Sequence, residues 1–196
     1  VENRLTFRLD GAGNIPPGVQ QFYMIDLRTG TTTLLSNDGL GGSGDFVWSS
    51  DGTALIFSAD RRQQLGQLAP NSELHRLDIA TGTVTQLTDR TGPDASPRAS
   101  PDGRWIAYLG FNDRRMGYHN TELYLVPSDG GTARSLTATL DRTVANPQWA
   151  ADSSGLYVQF DDRGTTRVGF VDLEGRLRVV AEGLIGPTFG RPYTCL

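Results

Sequence analysis

SPRASPDGRWIAYLGFNDRRMGYHNTELYLVPSDGGTARSLT, running from Ser96 to Thr137, is the stretch whose reading decides the fold. Four short strands are expected in it: Arg98-Ala99, Trp105 to Leu109, Leu123 to Val126, and a last one ending at Leu136. Between the first two lies Ser100-Pro101-Asp102-Gly103. Pro cannot donate to a ladder, Asp caps its own turn and Gly accepts positive φ, so this is a hairpin signal. Apolar, aromatic-rich runs of this length bounded by turn residues read as strands. The stretch is one four-stranded antiparallel unit.

The unit repeats. Trp48-Ser49-Ser50-Asp51-Gly52 precedes Leu55-Ile56-Phe57, and Trp149-Ala150-Ala151-Asp152-Ser153 precedes Leu156-Tyr157-Val158. Asp51, Asp102 and Asp152 stand 51 and 50 residues apart. Leu5-Thr6-Phe7 lies 50 residues before Leu55-Ile56-Phe57, so another copy is expected at the start of the chain. The second halves, around Phe22–Asp26, Leu74–Asp78, Leu123–Pro127 and Val168–Asp172, are each followed by a small turn. Four strands per period of roughly 40–50 residues are the signature of propeller blades. The expected fold is all-β, a β-propeller of four blade-sized units at 1–36, 46–88, 95–137 and 145–181. Residues 182–196 would begin a further blade or form a tail, and the whole would be an incomplete propeller, an open arc.

The central strands are apolar on successive residues, as in Trp105-Ile106-Ala107-Tyr108. A sheet with one wet face alternates instead, so both faces should be covered by neighbouring blades. Trp48 and Trp149 are expected to pack between blades; Ala99 replaces them in the third, with Trp105 expected to remake that contact. The second-to-third strand connections, Asp60–Asn71, Asn112–Asn120 and Asp161–Thr165, are charged and read as loops on one face. Such loops on a rigid scaffold are where binding resides.

Composition bounds the function. The 196 residues carry a net charge of −4, with 24 Gly and 10 Pro, an ordinary globular balance shifted toward turns. That charge leaves no footprint for nucleic acid or an anionic membrane. No apolar run approaches the roughly 20 residues that span a bilayer. The lone Cys195 excludes an internal disulfide framework. The chain opens on Val1 inside a repeat, as a piece of something longer would.

Catalytic and cofactor motifs fail on context. Ser43 has Gly41 before it but Asp45 after it, and a strand follows where a nucleophile elbow needs a helix. Gly39-x-Gly41-x-x-Gly44 matches the dinucleotide fingerprint as a string, yet Phe46-Val47-Trp48 is again a strand. His75 and His119 lack the partners of a zinc site. Asp60, Asp113, Asp161 and Asp162 could hold Ca²⁺, but turn initiation explains them better. No catalytic residue, metal or cofactor is therefore expected. The arginines Arg61-Arg62, Arg114-Arg115 and Arg163 recur at one loop position beside aspartates. Local rim pairing, worth about 0–1 kcal/mol, accounts for them; forked donors meeting a partner domain or a peptide carboxylate is the functional alternative.

The Trp-Ser-x-Asp-Gly-x-x-Leu-Ile-Phe and Glu-Leu-Tyr-Leu…Gly-Gly…Ser-Leu-Thr phrasing resembles two groups of propeller repeats. These are the TolB-like periplasmic proteins and the N-terminal domain of prolyl oligopeptidase-family serine peptidases. Asn112–Thr121, Leu140–Trp149 and Gly190-Arg191-Pro192-Tyr193 are more similar to the bacterial dipeptidyl-peptidase and acylaminoacyl-peptidase branch. There the propeller precedes an α/β-hydrolase domain bearing the Ser-Asp-His triad. The resemblance implies a non-catalytic domain that docks on and gates that hydrolase domain, with short peptides as substrates. The contacts it implies are Arg114, Arg115, Arg142, Arg191 and Tyr193. The alternative is a TolB-like protein–protein binding propeller with no enzyme attached. Either implies a periplasmic or secreted location.

Overall fold

The structure, a computed structural model, describes residues 8–9, 13–14, 21–36, 45–62 and 71–184. Every element in it is a β-strand, and every sheet is antiparallel. Two short hairpins come first, β1 (Arg8–Leu9) with β2 (Gly13–Asn14), and β3 (Tyr23–Ile25) with β4 (Thr32–Leu34). Three four-stranded sheets follow, each meandering in chain order. The first comprises β5 (Phe46–Trp48), β6 (Ala54–Ala59), β7 (Glu73–Asp78) and β8 (Val84–Gln86). The second comprises β9 (Asp94–Ala99), β10 (Trp105–Gly110), β11 (Glu122–Pro127) and β12 (Arg134–Ser135). The third comprises β13 (Val144–Trp149), β14 (Gly155–Asp162), β15 (Thr165–Asp172) and β16 (Leu177–Leu184). These meanders are open sheets, the blades of a β-propeller. Leu5-Thr6-Phe7 lies outside the described residues.

Alternation along the central strands sorts the core into three clusters, one at each seam. Leu55, Phe57 and Ala59 of β6 pack with Phe22 and Leu35 beside the β3–β4 hairpin. Ile56, between them on the opposite face, packs against Ile106 and Tyr108 of the next sheet. Ala107 of β10 in turn faces Leu156, Val158 and Phe160 of β14. β6 and β10 thus bury both faces, which is why their apolar residues run consecutively, whereas β14 leaves Tyr157 exposed on its far face.

The turns repeat down to the hydrogen bond. Asp51 Oδ1 accepts from Ser49 Oγ (2.6 Å) and the Thr53 amide (3.0 Å). Asp102 Oδ1 accepts from Ser100 Oγ (2.6 Å) and the Arg104 amide (3.1 Å). Gly52 and Gly103 hold φ of +70° and +73° in these turns; in the last sheet Ser153 adopts +59° there. At the opposite side of the β3–β4 hairpin and of the first two four-stranded sheets, a hydroxyl just after the final strand catches a backbone amide in or beside the strand before it. Ser36 Oγ takes Phe22 N (3.4 Å), Thr88 Oγ1 takes Leu74 N (2.9 Å), and Thr137 Oγ1 takes Leu123 N (2.9 Å).

Two expectations need correcting. Asp161–Thr165 is no loop: β14 and β15 pair through Asp162↔Thr165, leaving only Arg163-Gly164 as the turn. Their φ values of +51° and +82° make the primed hairpin geometry whose twist matches the strands, so pairing continues to the tip. The tryptophans also differ. Trp149 packs into the last seam and donates its indole N–H to Arg98 O (2.9 Å), whereas Trp48 is 45% exposed. Trp105 joins Trp149's cluster, while Ala99 pairs with Ile106 of the preceding one, so Trp105 does not stand in for the missing ring.

Candidate functional site

The second-to-third strand connection of the middle sheet, residues 111–121, is ordered from within. The Phe111 and His119 rings stack at 4.6 Å and 11°. The Arg114 amide donates to His119 Nε2 (3.0 Å), which assigns the ring proton to Nδ1. The Arg115 amide donates to Asp113 Oδ1 (2.7 Å), with Arg115 at a φ of +56°. The Arg114 and Arg115 side chains are exposed and make no ion pair among the described residues. Met116 and Tyr118 are exposed on the same loop, Tyr118 at 71%.

Beside this loop opens a polar cleft of about 530 Å³ between the last two sheets. Its walls are Tyr118 and Asn120 from the loop, Asp141, Arg142 and Thr143 from the inter-blade linker, and Asn146, Gln159 and Asp161 from β13 and β14. Tyr118 OH donates to Asn120 Oδ1 (3.1 Å), and Asn120 Nδ2 donates to Asp141 Oδ1 (2.9 Å). Arg142 is held by Asp162 Oδ1 through Nε (3.2 Å) and Nη2 (2.9 Å) and also donates to Asp141 O. The Arg142 bond, then the Arg167 and Arg142 charges, hold the Asp162 carboxyl below its ordinary range. Asn146 Nδ2 donates to Gln159 Oε1 (2.6 Å). Asn146 sits in a bulge of β13 at a φ of +51°, immediately before Pro147; Ser96 before Pro97 repeats this at +53°. Left-handed backbone at non-glycine residues costs on the order of 1–3 kcal/mol and tends to gather at functional sites.

Arg142 therefore lines the cleft, while Arg114 and Arg115 project from the loop beside it and do not line it. Arg191 and Tyr193 lie outside the described residues, as do Ser43, Gly39, Gly41, Gly44 and Cys195. The recurring Asp–Arg pairing takes different forms. Asp60 pairs with Arg62, Asp113 with a backbone amide, and Asp162 with Arg142 and Arg167. His75 is buried, its ring stacked on Phe57 at 5.4 Å. Among the described residues no three His, Cys, Asp or Glu side chains converge to hold a metal ion. No described helix is long and apolar enough to cross a membrane.

A second polar centre escaped the sequence reading. Asp94, fully buried at the head of β9, receives the Arg90 guanidinium on Oδ1, and Arg90 Nη1 donates to Asn112 Oδ1 (2.7 Å). The same guanidinium lies 4.0 Å over the Tyr124 ring. Glu73, 8% exposed at the head of β7, accepts from Thr88 Oγ1 (2.8 Å) and Asn71 Nδ2 (2.8 Å). Burial first, with the Asp94 charge adding to it, pushes the Glu73 carboxyl up to about 7. Burial also raises Asp94, against the pull of Arg90, and raises the Tyr124 hydroxyl to about 12. A sequence signal existed. Asn71-Ser72-Glu73-Leu74 returns as Asn120-Thr121-Glu122-Leu123, and Asp89-Arg90-Thr91 as Asp141-Arg142-Thr143.

No protein-family model matches the chain. Dipeptidyl-peptidase 5 from Porphyromonas gingivalis is 28% identical over 144 residues, covering 71% of this chain and 21% of that protein. The Tol-Pal system protein TolB from Francisella tularensis is 35% identical over 74 residues, covering 36% of this chain and 15% of its own. The chain thus spans about a fifth or less of these curated relatives. Among solved structures, TolB from Acinetobacter baumannii superposes with a TM-score of 0.65 at 22% identity, over 92% of this chain and 43% of its own. Puromycin hydrolase gives 0.65 at 23% identity over 83% and 27%. Oligogalacturonate lyase in complex with manganese gives 0.68 at 19% identity over 83% and 48%. The chain is homologous to dipeptidyl-peptidase 5 and TolB, and its structural neighbours share the propeller fold.

Proposed function

We propose that this chain is a non-catalytic propeller segment that docks on and gates the α/β-hydrolase domain of a serine peptidase acting on short peptides. The observation that carries the reading is the 144-residue match to dipeptidyl-peptidase 5, which takes in most of this chain but only a fifth of that protein. Loop 111–121 and the adjoining cleft are the docking face. Arg114 and Arg115 supply forked donors there that make no ion pair among the described residues, and Arg142 lines the cleft already held by Asp162. Arg191 and Tyr193 extend the same contact in this reading. A disc mounted over a catalytic pocket excludes folded proteins by size.

The experiment is made in the peptidase that carries this segment. Arg114→Ala with Arg115→Ala should make the connection between the domains more sensitive to a probe protease and alter short-peptide turnover, with melting unchanged. Unaltered turnover together with unaltered sensitivity would overturn docking through this loop. Arg142→Ala adds a small stability loss of about 0–1 kcal/mol, because a partly exposed ion pair goes with it. The isolated chain should release no product from chromogenic dipeptide or acyl-amino-acid substrates.

The 35% identity to TolB over 74 residues favours a second reading, a protein–protein binding propeller with no enzyme attached. The reading frame beyond Leu196 separates the two. A Gly-x-Ser-x-Gly elbow supports the first, and a stop codon after one or two more blades supports the second. Both readings place the protein outside the cytoplasm, which fractionation of the source cells checks.

A further inference from the structure

We propose that His119 is an acid-sensitive latch on loop 111–121. Taking up a proton at Nε2, it drops the Arg114 amide and turns to Asp113, so the segment bearing Arg114 and Arg115 is ordered in neutral solution and released in acid. Its consequence for function rests on the reading of this loop as the docking face. Both ends of the loop are fixed from outside. At its base Arg90 Nη1 donates to Asn112 Oδ1 (2.7 Å), and the Asp113 amide donates to Thr91 O (2.9 Å). The linker ahead of β9 passes so close there that an added Cβ at Gly92 would stand 1.9 Å from Phe111 O. At the far end Asn120 Nδ2 donates to Asp141 Oδ1 (2.9 Å), and the Thr121 amide donates to Thr143 Oγ1 (3.3 Å).

Residues 114–117, between these anchors, are held by their first two amides. That of Arg115 goes to Asp113 Oδ1 (2.7 Å), and that of Arg114 crosses the loop to His119 Nε2 (3.0 Å). The rest of the segment faces outward: Met116 is exposed, and an added Cβ at Gly117 would meet nothing within 4 Å. The His119 ring is itself fixed, stacked on Phe111 and largely buried. An imidazole nitrogen accepts an N–H only while it carries no proton; once it is protonated, two N–H groups face each other. The charged ring has an acceptor close by, since Asp113 Oδ1 lies 3.9 Å from Nε2. A carboxylate has lone pairs for more than one donor, so it keeps the Arg115 amide as well. Arg115 stands at a φ of +56°, which an L residue adopts under constraint, and releasing the amide before it lets that constraint go. Histidine is the side chain whose charge changes in mildly acidic solution.

The other charged groups around the loop are engaged elsewhere or exposed. From the linker ahead of β9, Arg90 is bound by Asp94 and Asn112, and Asp89 is exposed. From the linker ahead of β13, Asp141 takes Asn120, and Arg142 is held by Asp162. Arg114 and Arg115 are exposed on the loop itself, and Glu122 at the head of β11 bears on Tyr124. Among the described residues it is Asp113 that comes within ion-pair range of the ring.

Hydrogen exchange resolved to the Arg114 amide in the full-length protein tests the latch. Corrected for the intrinsic rate, protection of that amide should fall about tenfold from about pH 8 to about pH 5, the worth of one lost hydrogen bond. The Asp113 amide, bonded to Thr91 O, should keep its protection over the same range. His119→Gln sets a carbonyl oxygen where Nε2 stands, which accepts the amide and does not titrate, so protection should stay level. Level protection in wild type, or a slope that H119Q shares, would overturn the latch. If H119Q does not fold, nitrogen spectra of the wild-type ring decide. The Nδ1–H tautomer at about pH 8, giving way to the doubly protonated ring as the Arg114 amide signal moves, is expected. An Nε2–H tautomer at that pH would overturn the latch. The amide is read separately from docking. If it switches while Arg114→Ala with Arg115→Ala leaves docking unaltered, the latch stands and the docking reading falls.

Discussion

At the scale of single residues, two glycines in matching turns separate backbone freedom from close packing. Gly52 and Gly103 share nearly the same positive φ, +70° and +73°. An added Cβ at Gly52 meets nothing within 4 Å, whereas at Gly103 it meets Ser50 Oγ at 2.6 Å. Gly52→Ala should therefore cost only the left-handed strain, about 1–2 kcal/mol. Gly103→Ala should cost that and more, because the turn of one sheet must back away from that of its neighbour. Denaturant titration of the two variants compares them, and equal losses would show that Ser50 rotates away freely. Ser153 shows the other solution to this position: it accepts the strained φ and uses its Oγ to receive the Asp102 amide (3.1 Å).

At the scale of elements, the turns that make the repeat legible also set its behaviour in acid. The Ser49 and Ser100 hydroxyls, with backbone amides behind them, draw Asp51 and Asp102 down to about 2. An unfolded Asp titrates near 3.9, so this stabilisation is complete above about pH 4 and disappears as pH falls toward 2. Asp102→Asn lacks that stabilisation at every pH, so it should flatten acid unfolding, followed by circular dichroism, and move its midpoint to higher pH; an unchanged midpoint would show that the turn is not what acid breaks. Such turns were legible in the sequence because the bonds their Asp and Ser side chains accept join residues at most five apart. The Arg163-Gly164 hairpin was misread because the charged run Asp161-Asp162-Arg163 looks like a loop until strand register shows that pairing reaches it. Arg142 could be picked out beside the loops from its resemblance, but its hold by Asp162, twenty residues on, is a tertiary fact. Glu73 and Arg90 stand in phrases that the sequence repeats, but that Glu73 takes the Thr88 hydroxyl, fifteen residues on, and is buried there is again a tertiary fact.

At the scale of the molecule, the last sheet presents one packed face and one open one. Leu156, Val158 and Phe160 are buried against the preceding sheet. Tyr157, on the other face, is 42% exposed and meets Phe170 edge-on at 5.2 Å. The central strands β6 and β10, by contrast, have neighbours on both faces among the described residues, and uncovered apolar faces mark association sites. The isolated chain is expected to self-associate with rising concentration in sedimentation velocity, and Tyr157→Lys should suppress this. A monodisperse monomer at high concentration would refute it.

The three apolar clusters share no residue. Each seam is therefore a separate bond in a row, and the blades behave as links in a one-dimensional array rather than one indivisible core. Folding can therefore begin at any seam and spread outward. Stability then adds up from nearest-neighbour terms, and damage to one seam leaves the cooperativity of the next intact. Mechanical pulling on such a chain would release it blade by blade, each step lengthening it by roughly one repeat.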